Sequence, residues 1–168
     1  MTGQINVNKI AARTGNAITI ASGDVLQAPG HVIQTVYASQ AGQATTTSTS
    51  FVDTSLAATI TPTSASNKIL VITNVNMYGD TNDIHSVCTV YRGTISGTNL
   101  GNGDWGIGGS YGGASPVKNN VSCAILDSPS TTSAQTYTVA IRRNGSSGTM
   151  YMNVNGERST IVLQEIAQ

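Results

Sequence analysis

Residues 50–71 read SFVDTSLAATITPTSASNKILV, an apolar rhythm whose gaps are filled almost entirely by Thr and Ser. Side chains that alternate at a period of two belong to a strand, because successive Cβ atoms point to opposite faces. Leu56, Ala58 and Ile60 fall on one face, and Ala57, Thr59 and Thr61 on the other. Pro62 cannot donate to a sheet ladder and ends the run, and residues 63–67 read as a turn. Within the whole stretch only Asp53 and Lys68 carry charge. A chain built this way is confined to strands that stay soluble through hydroxyls and amides.

Composition extends that constraint. Charged residues are 10% of the 168, against about 25% in ordinary soluble domains. Ser and Thr make up roughly a quarter of the chain. Helix surfaces favour Glu, Lys, Ala and Leu, whereas strands favour Thr, Val, Ile and Tyr. The length is that of one domain with its own core.

From residue 31 onward the strands follow one another. Residues 31–38 form a first strand, and 39–50 a polar loop or weak edge strand. Residues 69–78, ILVITNVNMY, form the strongest strand, and its continuous apolar start predicts burial on both faces. Residues 84–92 alternate, and 93–115 read as a long Gly-rich loop. Residues 117–126 place Val121, Cys123 and Ile125 on one face, and Tyr137, Val139 and Ile141 share a face in the next strand. Asn144-Gly145 and Asn155-Gly156 mark turns, and residues 160–166 close the chain. The pattern predicts an all-β, antiparallel β-sandwich of jelly-roll type with about seven or eight strands.

The first residues differ. Ile5, Val7, Ile10, Ile18, Ile20, Val25 and Leu26 are thinly spaced among Gly, Asn, Thr and Ala. Such a segment cannot close a core of its own. It reads as a short extended arm over 1–29 for attachment or contact between copies. The turn at Ala28-Pro29-Gly30 sets it off from a sandwich domain over 30–168.

Zero net charge argues against nucleic acid as a partner, since phosphate binding needs a basic stripe. Arg142 and Arg143 are the nearest approach, and they read as a solvated strand end. No apolar run is long enough to span a membrane. The start, MTGQINVNKIAARTG, lacks the apolar region of a secretory signal. The chain is expected to be made and kept in a cytoplasm, or to leave it by another route such as lysis. Without a secretory route, Cys88 and Cys123 are expected to be free thiols that pack as small hydrophobes.

No constellation for catalysis stands out. There is no G-x-S-x-G elbow, no Cys-x₂-Cys or His-x₃-His spacing for a metal, and no Lys-Ser/Thr after the Gly-rich loop. His85 with Asp80 and Asp83 reads as a strand-entry histidine beside turn aspartates. The chain is therefore read as a non-enzyme with no metal and no cofactor. The loop around Trp105, the only tryptophan, is the candidate site, with Asp104 before it and Tyr111 after it. Aromatic faces beside a carboxylate suit sugars: C–H groups stack on the ring and hydroxyls bond the acid. The alternative is that Trp105 is a hydrophobic plug pinning a long loop.

Several pieces resemble a family of virion structural proteins, the tail fibre-like proteins of tailed bacteriophages of marine bacteria and cyanobacteria. They are INVNKIAARTGNAITIASGDVLQAPG, GHVIQTVYA, STSFVDTSLAATITPTSASNKILVITNVN, YRGT-x₄-NLG, ILDSPSTTSAQTYTVAIRRN and STIVLQEIA. The most specific are FVDTSLAATITPTSASNKILV and LDSPSTTSAQTY. The resemblance implies a homotrimeric β-sandwich on the virion surface, joined through its arm to other virion proteins, with no cofactor and no catalytic residues. It implies a short tail fibre or fibre tip in host attachment. The alternatives are a capsid decoration or head-fibre protein, or a lectin-like module for host glycans. The chain departs from many fibre proteins in having almost no repeating shaft.

Overall fold

The computed structural model describes residues 28–113, 116–145 and 147–168. The arm residues Ile5 to Leu26 lie outside them. Eleven strands follow in chain order: β1 (Val32–Gln40), β2 (Ala44–Thr46), β3 (Val52–Ile60), β4 (Lys68–Gly79), β5 (Ile84–Arg92) and β6 (Thr98–Asn99). Then come β7 (Gly108–Gly112), β8 (Val117–Asp127), β9 (Gln135–Asn144), β10 (Met150–Met152) and β11 (Ser159–Ile166). The only helical turn among the described residues is a 3₁₀ turn at Val154–Gly156.

All pairs are antiparallel. The first sheet runs β1–β11–β4–β8, with the short β10 and β2 continuing from the far half of β4. The second runs β3–β9–β5, and both β7 and β6 lie along the free edge of β5. Eight strands have five residues or more. Numbered one to eight along the chain, they form sheets 1-8-3-6 and 2-7-4-5. That interleaving is a jelly roll, the product of two Greek keys. The sandwich was legible in the alternation, and the expected seven or eight strands compare with eleven, of which eight have five residues or more.

The core lies between the sheets. It is built from Leu56, Ile60, Ile69, Val71, Met77, Val90, Tyr137, Val139, Ile141, Ile161 and Leu163, all 0–1% exposed. Each is at the inward position of its strand, and truncating one to Ala costs about 2–5 kcal/mol. Thr serves inside as well as outside: the buried Thr54 hydroxyl donates to the Val139 carbonyl at 2.7 Å. Beside it β3 shifts register between Asp53 and Ala57, with Ser55 at φ 66° and its amide donating to Asp53 Oδ1. This bulge occupies the one charged position in the first half of the run 50–71.

Charge is used sparingly, and two acids, Asp127 and Glu165, take part in internal bonds between elements. Tyr137 of the second sheet donates to Asp127 of the first at 2.7 Å, and Arg92 bonds both oxygens of Asp127 at 3.0 Å. Burial, and then this bond to Asp127, push the Tyr137 phenol well above its ordinary value. Glu165 in β11 is fully buried. One carboxylate oxygen accepts from the Thr63 amide, the Thr63 hydroxyl and Asn67 Nδ2 at 2.7–2.9 Å, and the other from Gln34 Nε2 at 2.6 Å. Burial pushes this carboxyl up, but the donors from Asn67, Gln34 and Thr63 outweigh it and hold it below its ordinary 4.5.

Four expectations are corrected. The first half of β4 is buried on one face only, for Leu70 is half-buried and Ile72 is 37% exposed. The strand is central, yet its outer face has no covering layer, as an antiparallel sheet permits. The span 93–115 is not simply a loop, since β7 within it pairs with β5. Glycine carries no strand propensity, so only the tertiary pairing reveals it. Arg142 and Arg143 are not a solvated end: they bond the carbonyls of Thr49, Asp104 and Gly148 and tie loops to β9. Both cysteines are free, as expected, but only Cys88 is buried, whereas Cys123 sits half-buried on β8.

Burial, and then the neighbouring Cys123, push the Cys88 thiol up to about 12, so it stays protonated and unreactive. One thiol per native chain should react with a water-soluble thiol reagent at pH 8, the second only after unfolding, and Cys123→Ser should abolish the native reaction. A second test concerns Glu165. Because its native value is lowered, its contribution is complete above about pH 4.5 and is lost as pH falls through the native value. Glu165→Gln should cost about 2 kcal/mol at pH 7 and flatten the acid limb of stability, read by denaturant melts from pH 3 to 7.

Candidate functional site

The candidate site lies on the outer face of the second sheet, where β5 and β7 run side by side. His85 is opposite Tyr111, and Val87 opposite Gly109. The His85 and Tyr111 rings stack with centroids 4.2 Å apart, and Trp105 meets the other side of the cluster edge-on, 5.3 Å from His85. Together they border an open depression of about 280 Å³ floored by Val87, Gly108 and Gly109. A Cβ on Gly109 would lie 2.5 Å from the Ser86 carbonyl oxygen, so no side chain fits at that position of the floor. Trp105 is 53% and Tyr111 54% exposed.

The loop that carries Trp105 is laid backbone to backbone on β5. Leu100 and Ile107 donate their amides to Val90 and Cys88 at 2.9 Å. Asn102 and Gly106 exchange amide-to-carbonyl bonds at 2.8 and 2.9 Å, closing a small turn. Inside it, Asn102 Oδ1 accepts the amides of Asp104 and Trp105. Gly106 has φ +58°, and a Cβ there would lie 2.0 Å from the Cys88 carbonyl oxygen. A side chain at 106 therefore cannot be fitted without lifting the loop. The Arg142 guanidinium, 5.2 Å over the Phe51 ring, donates to the Asp104 carbonyl and braces the turn from beneath.

The three residues singled out in the sequence fall differently. Trp105 and Tyr111 border one depression and are joined through His85. Asp104 presents an exposed carboxylate 3.8 Å from Arg142 and does not line the depression. The carboxylate beside the aromatics is Asp83, which accepts the Tyr111 hydroxyl at 2.7 Å. That bond, and then the negative charge of Asp83, hold the Tyr111 phenol above its ordinary range. Trp105 does not act as a buried plug, because the glycine contacts, Asn102 and Arg142 already pin the loop. Sequence reading missed His85 and Asp83 because their link to Tyr111 exists only once β7 is paired with β5. Asp80, the third member of that acidic cluster, is engaged elsewhere by the Thr149 amide and the Tyr151 hydroxyl. Among the described residues no group of three His, Cys, Asp or Glu side chains is placed to hold a metal.

The arrangement offers flat aromatic surfaces, an imidazole and a nearby carboxylate around a shallow floor in which two of three residues are glycine. It can stack a ring and bond its polar rim. Nucleophile, base and orienting group are not assembled here.

No protein-family model matches the chain, and no curated protein matches it. In structure it is similar to a chain of the infectious bursal disease virus VP2 subviral particle, with a TM-score of 0.44 and 13% identity. The match covers 90% of this chain and 42% of that one, so this chain spans less than half of its length. A likeness of this degree carries no functional argument, and the fold assignment rests on strand order and burial.

Gly106→Val should lift the loop from β5. The expected outcome is a red-shifted Trp105 emission and faster quenching by iodide, with the far-ultraviolet dichroism of the sheets retained. Unchanged emission and quenching would mean that the glycine does not hold the loop.

Proposed function

We propose that this protein is a non-enzymatic structural component of a phage virion surface, a short tail fibre or fibre tip that touches host-surface glycans through the Trp105–His85–Tyr111 depression. The observation that carries the glycan part is the pair of half-exposed aromatic rings, Tyr111 on β7 and Trp105 on the loop hydrogen-bonded to β5, gathered around His85. Binding sites of this kind gain affinity because the rings need no ordering on contact. The neutral, hydroxyl-rich surface and the resemblance of the sequence segments to tail fibre-like proteins support the virion part. The homotrimer, the attachment arm over residues 1–29 and the location on the particle belong to the same reading. A capsid decoration protein is the competing assignment, and immunogold labelling of intact particles separates heads from tails.

The test is adsorption of the purified full-length protein to host cells and to a panel of surface polysaccharides. Trp105→Ala should weaken binding by about 2 kcal/mol, roughly 30-fold, as truncation of a central aromatic anchor does. Ile95→Ala, an exposed apolar residue away from the site, should leave it unchanged. Full binding by a folded Trp105→Ala protein would remove the glycan reading.

A further inference from the structure

Net charge is zero, yet the described ionisable groups are divided between the two sides of the sandwich. The outer side of the second sheet, with its loops, carries Asp53, Asp83 and Asp104, all exposed, and among the described residues its one arginine or lysine is Arg142. Both described lysines, Lys68 on β4 and Lys118 on β8, belong to the first sheet, and Arg158 bonds Ser39 of β1 there. Arg92 and Arg143 reach from the second sheet toward the first, to Asp127 and to the Gly148 carbonyl. The side that bears the Trp105 depression is therefore the acidic one. At the depression itself, Asp83 accepts the Tyr111 hydroxyl at 2.7 Å, and Asp104, next to Trp105, has a side chain 82% exposed. Arg142 lies under the loop with its side chain 12% exposed, bonded to the Thr49 and Asp104 carbonyls.

We propose that the group this depression takes is an organic ammonium carried on a surface glycan. The inference rests on the glycan reading above and names the chemical class within it. Two features of the depression point the same way. The faces of aromatic rings carry negative charge density, so a cation is drawn to them, most strongly to Trp. Trp105 and Tyr111 are each about half exposed and border the same depression. The carboxylates of Asp83 and Asp104 then add a negative field from the rim. The floor of Val87, Gly108 and Gly109 is apolar and suits the carbon atoms that surround the nitrogen of an ammonium. A neutral sugar would use the rings but not the carboxylates. An acidic sugar would meet both carboxylates, and the one guanidinium on this side is already engaged beneath the loop. The depression thus separates three classes of glycan by charge, and the ammonium is the class that both features favour.

The test uses choline and its uncharged isostere 3,3-dimethylbutan-1-ol, titrated into the full-length protein and read by the emission of Trp105, the only tryptophan. Choline should bind about tenfold more tightly than the neutral isostere, and salt should reduce that preference. Asp83→Asn keeps an acceptor for the Tyr111 hydroxyl, and Asn tolerates the left-handed backbone at φ 56°. Combined with Asp104→Asn, it should erase most of the preference while thermal melts stay unchanged. Choline should also displace the protein from host cells, and protease treatment of the cells should leave adsorption intact, since the ammonium is borne by a glycan. Equal binding of choline and the isostere, or a full preference in the double variant, would overturn the proposal. So would adsorption that choline does not displace, or that protease abolishes because a polypeptide supplies the amine. The glycan reading is judged separately: adsorption that resists choline and protease but is lost in Trp105→Ala would leave it standing while the ammonium falls.

Discussion

The buried Glu165 carboxylate is the knot on which the first sheet depends. It sits on β11, between β1 and β4, and its four donors come from β1 and from the turn that leads out of β3. That turn is where the chain crosses from the second sheet to the first. An ionised group there would be costly if unpaired; fully bonded, it fixes the crossover in one geometry. The Tyr137–Asp127–Arg92 group does the same between β9, β8 and β5. In a chain with few charges, two of its acids are placed where the sheets must be held in register. The apolar core supplies the driving force, but it is non-directional. Directional bonds decide which of several apolar registers is adopted.

Much of this fold could be read from residues. The alternation from Leu56 to Ile60 is the burial pattern of the second half of β3, and Pro62 and the turn 63–67 stand where the strand ends. The strong run 69–78 is β4, the central strand of its sheet. What could not be read depends on partners distant in sequence. Ile72 and Leu70 look doubly buried because the run is continuous, and only the tertiary arrangement shows that one side has no cover. Gly108 to Gly112 form a strand because β5 offers a free edge, not because GGSYG favours one. The same hidden pairing brings Tyr111 to His85, and so the site was half legible. Its aromatic residues were visible as outliers in a Gly-rich stretch. Its histidine and its nearest carboxylate were visible only as an ordinary strand entry.

The two outer faces divide the labour of the molecule. One is roofed by the chain's own loops, and the roof ends at the Trp105 depression. The other has no covering segment among the described residues and shows an apolar band from Tyr37 through Ile72 to Leu126, with Lys68 and Arg158 at its margins.

The loop over β5 has a further consequence. Gly101 and Gly106 press against backbone and have no room for a Cβ, whereas a Cβ on Gly103 meets nothing within 4 Å. Frame and tip are thus separate in sequence. Position 103 has room for a side chain of another size, while Gly101 and Gly106 on either side keep their seat on the sheet. Substitution can therefore retune what the loop touches without reopening the problem of how it folds. A surface under pressure to follow a changing target has, in this loop, a place to change at little structural cost.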